Sequence, residues 1–195
     1  MAMRSRLSRA TRVAFGGALL LVPFAVVSGV VAPSASSYSF NGCKWTLSKL
    51  GNIRYNEPPV FGPAVVEAAG HWNTDAAWFG VEFNEATTSL DIGVVSHDYG
   101  YTDWFGQVDT YCPGGTFQPY QTLKLNRFWL DRYTKPVRRH VAAHEFGHLL
   151  GLGHWNVGGS CSAYPLMHKD VNHAITCADS HPKIDDLNGI YARYY

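Results

Sequence analysis

The spacing of hydrophobic side chains changes period several times along the chain. Ile53-Arg54-Tyr55-Asn56 alternates and predicts a short strand, stopped by Glu57-Pro58-Pro59. Pro63 is placed for the first turn of a helix, with Val65, Val66, Ala69 and Trp72/Asn73 following at helical spacing. Residues 80–84 and 90–95 return to β-branched alternation and predict two further strands. The Gly-, Tyr-, Asp- and Pro-rich stretch 97–120 predicts long loops with one edge strand near 104–108, and 122–128 alternates again. Pro136 then opens a helix in which Val137, Val141, His144/Phe146 and His148 continue to Leu150, where Gly151 stops it. A last helix is expected over 184–191. Strands with interspersed helices and a late helical pair predict the α+β class, a sheet packed on helices.

Composition narrows the picture. With 14% aromatic and 16% charged residues the chain can bury a core, which excludes intrinsic disorder. The 19 Gly and 10 Pro show no period, which excludes a collagen-like fibre. A net charge of +1 argues against a nucleic-acid partner. That charge is uneven, however. Residues 1–37 hold Arg4, Arg6, Arg9 and Arg12, no acid, an uncharged run over 13–32 and then small residues to Ser37. This is the layout of a secretory signal peptide, with cleavage expected between Ala32 and Tyr38. A membrane anchor is the competing reading, weakened by Pro23 and Gly16-Gly17. Without the leader's four Arg, residues 38–195 carry 12 basic and 15 acidic residues, a net −3. No linker, repeat or charge block divides this part, so it is expected to form one domain, secreted and extracellular.

Cys43, Cys112, Cys161 and Cys177 all fall in that domain, and an even count in an exported chain predicts two disulfides. Cys161–Cys177 closes a short loop and is favoured, which leaves Cys43–Cys112. A Cys-rich zinc site is disfavoured, because no two of them lie at C-x2–4-C spacing.

The chemistry lies in residues 144–154, His-Glu-Phe-Gly-His-Leu-Leu-Gly-Leu-Gly-His. On a helix, His144 and His148 project from one face and can share a metal. Glu145 lies about 100° round the axis, near enough to serve a water on that metal without being a ligand. Gly151 lets the backbone leave through a left-handed turn that returns His154 as third ligand. Three imidazoles leave a fourth zinc position open, the mark of a catalytic site. Zn²⁺ lowers the pKa of a bound water to about 7, and Glu145 can accept its proton and deliver it to a leaving amine. The competing reading is a set of surface histidines on an amphipathic helix.

The extended motif resembles that of the metzincin metallopeptidases. Met167, in Tyr164-Pro165-Leu166-Met167-His168, matches the clan's Met-turn, a structural role also open to plain core packing. Lys169 stands where astacins and serralysins have Tyr, Trp155 where adamalysin-like enzymes have Asp, and His154 where snapalysins have Asp. Asp185-Asp186-Leu187-Asn188-Gly189-Ile190 and the lead-in Val141-Ala142-Ala143 are similar to matrixins, the matrix-metalloproteinase family. The resemblance spans 45–195, with specific matches in 141–190. It implies a metzincin catalytic domain: a twisted mixed sheet packed on an active-site helix, with a C-terminal helix. It also implies one catalytic Zn²⁺ on His144, His148 and His154, with Glu145 as base. The chain departs from the family in lacking a P-R-C-G cysteine switch, so latency by that route is not expected. The family's structural-zinc and calcium loops are not matched by His97, Asp98, Asp103, Asp109 or Pro113-Gly114-Gly115, although these oxygens leave Ca²⁺ open.

Other residues are weighed against plainer roles. His140 reads as a packed neighbour of the site. His168, His173 and His181 read as surface loop histidines, with tuning of the pocket after the scissile bond as the alternative. Asp185 and Asp186 read as structural, one buried under the site helix and one capping or pairing with the new N-terminus. Trp104, Phe105 and the Tyr-rich stretch 99–111 form either a substrate-binding edge or a hydrophobic cover. The expectation is a monomeric zinc endopeptidase acting on an extended peptide or protein, without nucleic acid or stable membrane insertion after cleavage. The rival is a non-catalytic zinc-containing binding module on the same fold, and a third reading is a zinc hydrolase acting on a non-peptide amide.

Overall fold

The computed structural model describes residues 38–155, 160–162 and 164–195. The leader expected in residues 1–37 lies outside them. A five-stranded sheet runs in the order β2 (Phe83–Glu85), β1 (Ile53–Tyr55), β3 (Ile92–His97), β5 (Gln121–Asn126) and β4 (Gly106–Asp109). The first four are mutually parallel, and β4 is an antiparallel edge paired to β5 from Gly106↔Leu125 to Asp109↔Thr122. Parallel neighbours need crossovers, and helix α2 (Gly62–Asp75) supplies the one between β1 and β2, while α4 (Lys135–Leu149) comes after the last strand, β5. Both begin with a proline in the first turn, where its missing N–H costs nothing.

The two helices pack together and onto the sheet through large apolar side chains. Trp72 of α2 is fully buried and donates its indole N–H to the Ala143 carbonyl of α4 at 2.8 Å. Phe146 of α4 meets Phe83 at 4.6 Å and Tyr55 edge-on at 5.5 Å between ring centroids. Two positions along a helix turn the side chain by about 200°. Anchoring Phe146 in the core therefore sends His144 and His148 to the opposite side. The period-3.6 pattern thus decides the core face and the chemical face together.

Several boundaries differ from the sequence reading, each for a traceable reason. The strand expected over 122–128 ends at Asn126, whose buried side chain has stronger local demands. Its Oδ1 accepts from the N–H groups of Phe128 and Tyr99, capping the short helix α3 (Arg127–Leu130). Its Nδ2 donates to the Gly100 carbonyl and to Thr102 Oγ1. The strand expected over 80–84 starts late because Gly80, at φ +67°, closes a 3₁₀ turn at Ala77–Phe79. A one-turn helix, α1 (Leu47–Leu50), was absent from the sequence reading, as was α5 (Val171–Cys177), which Asp170 caps through the Asn172 N–H. The last helix, α6 (Ile184–Tyr194), runs three residues further than expected.

Disulfides join Cys43 to Cys112 and Cys161 to Cys177. No helix among the described residues is long and apolar enough to cross a membrane.

Replacing Asn126 with Ala removes one cap and strands the groups that its amide satisfies. Each orphaned buried partner costs about 1–3 kcal/mol. The urea midpoint is expected to fall by an amount equivalent to about 2–4 kcal/mol, whereas Asn126→Asp should retain the two N–H contacts and lose less.

Candidate active site

His144 and His148 rise from one face of α4, and the chain after α4 brings His154 to meet them. That return rests on Gly151 at φ +90°, where a Cβ would also lie 2.3 Å from the Cys43 carbonyl oxygen. Only glycine suits both demands. The segment entering at Tyr38 then straps the turn down. Gly153 N–H donates to the Ser39 carbonyl at 2.7 Å, Ser39 Oγ donates to the His154 carbonyl at 2.8 Å, and Asn41 Nδ2 donates to the His148 carbonyl at 2.7 Å. Ser39 and Asn41 carry no signal in the sequence, because they act by meeting a loop more than a hundred residues away.

The three imidazoles offer ligand atoms within 4.8 Å of one another. His144 Nδ1 faces the Leu166 carbonyl at 2.8 Å and His148 Nδ1 faces the Leu152 carbonyl at 2.8 Å. A carbonyl only accepts, so both Nδ1 atoms carry the proton and both Nε2 lone pairs are free. Burial holds His144 well below the usual imidazole range, takes His148 down to about 4 and lowers His154 as well. All three are neutral near pH 7, as metal ligation requires. His148 Nε2 and His154 Nε2 are 3.1 Å apart. Two nitrogens on one tetrahedral Zn²⁺, at ~2.0–2.1 Å each, would be about 3.3 Å apart. Donor type, tautomer and spacing all fit zinc.

Glu145 is 5% exposed and lines a cleft of ≈170 Å³ together with His144 and His154. Burial alone pushes its carboxyl up to about 8. Across the cleft stands β4. A Cβ on Gly106 would lie 2.6 Å from Glu145 Oε1 and 2.7 Å from Val141 Cγ1, so this glycine makes room for the carboxylate. The sequence reading placed an edge strand near 104–108 but gave Gly106 no role.

Met167 lies beneath the histidines. A Cβ on Gly147 would fall 2.2 Å from Met167 Sδ, so the thioether occupies the space a helical side chain would otherwise take. A glycine inside a helix costs about 1 kcal/mol relative to Ala, and that cost was the available sign of a close approach. The turn is gripped by Asp186, whose Oδ2 accepts from Leu166 N–H at 2.8 Å and Lys183 N–H at 2.7 Å, and whose Oδ1 accepts from Met167 N–H at 3.2 Å. The same carboxylate is thus both buried under the site and capping α6.

The remaining predicted residues separate. His140 is buried, with Nδ1 on the Asp179 carbonyl at 2.6 Å. His168 borders the cleft, and His181 is exposed beside Asp75. His173 corrects the sequence reading: it belongs to α5 and is 7% exposed, because the short helix turns it inward against His140 and Tyr164. Asp98, Asp103 and Asp109 do not converge. Asp98 caps the Gly100 N–H, Asp109 pairs with Lys124, and Asp103 borders the cleft. Among the described residues only His144, His148 and His154 form a group of three or more able to hold a metal, so calcium finds no support.

With this geometry in place, the comparison with known families is direct. A sequence model of the matrixin family matches residues 34–195, and the chain belongs to that family. Membership implies zinc and a peptide substrate, and supports a zinc metallopeptidase-type function. Among solved structures the chain is similar to myroilysin, at 16% identity over 84% of this chain and 96% of that one, with a TM-score of 0.47.

Gly147→Ala is expected to force Met167 aside and to lower stability by about 1–3 kcal/mol. Pairing it with Met167→Ala should recover part of that loss in a double-mutant cycle read by thermal melting. Gly106→Ala is expected to leave zinc content unchanged and to slow turnover of a peptide by about tenfold or more, through displacement of Glu145.

Proposed function

We propose that the protein is a secreted zinc-dependent endopeptidase in which His144, His148 and His154 hold one Zn²⁺ and Glu145 is the general base. The observation that carries this reading is the buried Glu145 carboxyl, which lines one cleft with His144 and His154, beside three imidazoles whose ligand atoms lie within 4.8 Å of one another. When bound, zinc supplies a polarised substrate carbonyl and a water acidified to near neutrality. The protein's part is to position and to shuttle a proton. The Leu166 and Leu152 carbonyls hold His144 and His148 in the tautomer that presents Nε2. Glu145 takes the proton of the attacking water, holds it on a carboxyl oxygen, and passes it to the amide nitrogen as the peptide bond breaks.

The substrate is read as extended, pairing with the free side of β4. That strand is the antiparallel edge of the sheet, and Gly106 places it directly over Glu145. Trp104 and Phe105 border the same cleft. Export is supported by two disulfides and by the basic, then apolar, then small-residue order of the leader. Residues 38–195 would then be the mature enzyme.

The purified protein is expected to contain one zinc per chain and to cleave an unfolded protein until a chelator is added. Glu145→Gln should keep the zinc and lose about 10²–10⁴-fold in kcat. Stoichiometric zinc in a wild-type protein inert on a broad peptide library would overturn the reading and leave a zinc-containing binding module.

A further inference from the structure

A cavity larger than the histidine cleft lies away from it among the described residues. At the other end of the sheet, a space of ≈510 Å³ lies beside α1, β1 and the turns that lead into β3 and β5. Its apolar walls are Trp45, Phe117 and Tyr120, with the Trp45 and Phe117 rings 5.0 Å apart. Its charged lining is Lys49, Arg54 and Asp91. Asp91 is fully accounted for: it is buried, accepts the Arg54 backbone N–H at 2.8 Å and pairs with Lys49.

The Arg54 guanidinium is not accounted for. It takes part in none of the ion pairs among the described residues. Its Nε is buried without a hydrogen-bond partner. Arg127 also has a bare Nε, but its NH2 group reaches Asp131. Two cations against one acid leave the cavity with one surplus positive charge. The Arg54 Nε is shut off from water without a partner, and the flat fork of a guanidinium matches a carboxylate. The rim shows strain of a kind that gathers at binding sites: Ser89 and Tyr120 adopt φ of +53° and +68°, two of the four non-glycine residues at positive φ among the described residues.

We propose that this cavity docks an acidic side chain of a peptide or protein. The Asp or Glu carboxylate forks onto Arg54 while a neighbouring apolar residue lies against Tyr120, the exposed one of the three rings. This site shares no lining residue with the histidine cleft, so it binds independently of cleavage. A partner held there would be an anchored ligand, not the segment being hydrolysed.

The test is NMR titration of the ¹⁵N-labelled, zinc-containing protein with a capped peptide Phe-Glu-Pro. Shifts are expected at the Arg54 and Asp91 amides and the Trp45 indole, with affinity falling as salt is raised. The capped Phe-Gln-Pro peptide and the Arg54→Gln variant should each weaken binding by about tenfold or more. Tyr120→Gly suits the local φ, removes a wall, and should weaken binding severalfold even if Arg54→Gln folds poorly. Cleavage of a substrate without acidic residues should be unchanged in Tyr120→Gly, which separates this proposal from the catalytic one. Equal binding of the Glu and Gln peptides, or shifts confined to the histidine cleft, would overturn it. So would binding only of a Phe-Gly-Pro probe with a free C-terminal carboxylate, or concentration-dependent shifts at the cavity without peptide, which would assign it to a chain terminus or a second copy.

Discussion

Much of the site hangs on one buried carboxylate. Asp186 receives the N–H groups of Leu166, Met167 and Lys183, and so joins the turn under the histidines to the start of α6. Burial pushes its carboxyl up to about 6, against the three N–H groups that favour the charged form. The turn it holds has two tasks. The Leu166 carbonyl fixes the tautomer of His144, and the Met167 side chain fills the notch at Gly147 between the two helical histidines. A ligand set on a helix would otherwise be free to choose rotamers, and this turn removes that freedom.

The third histidine depends on a separate set of contacts. After Gly151 the chain gains a partner in the N-terminal segment, through the Ser39 carbonyl on Gly153 N–H and Ser39 Oγ on the His154 carbonyl. The Cys43–Cys112 bridge ties that same segment to the loop before β5. On the other side, the Trp155 N–H donates to the Met167 carbonyl at 2.7 Å. His154, the most exposed of the three histidines, is therefore held from both flanks by hydrogen bonds.

Legibility in the sequence followed the range of the interaction. Helix α4 was readable because its apolar spacing, its opening proline and its closing glycine are all local. The parallel strands were readable as elements but not to the residue, since Asn126 ends β5 through bonds to Tyr99, Gly100 and Thr102 in a distant loop. Helix α5 escaped notice because seven residues give too few turns for periodicity to show, and with it went the burial of His173. Gly106 and Gly147 could be seen only as glycines. What each makes room for, Glu145 and Met167, is a fact about packing.

The sequence by itself determined the chemical inventory: two histidines and a glutamate at fixed helical offsets, a third histidine past the closing glycine, a methionine downstream and an acidic pair after it. It did so because a helix converts spacing into direction with no help from the rest of the fold. The tertiary structure decided which carbonyls orient the imidazoles, which strand faces Glu145, and which segment carries His154 back. It also decided that Arg54 would stand without an acid at the far end of the sheet. Apart from the Leu152 carbonyl on His148, those outcomes turn on contacts between residues tens to more than a hundred positions apart, where local spacing carries no information about direction.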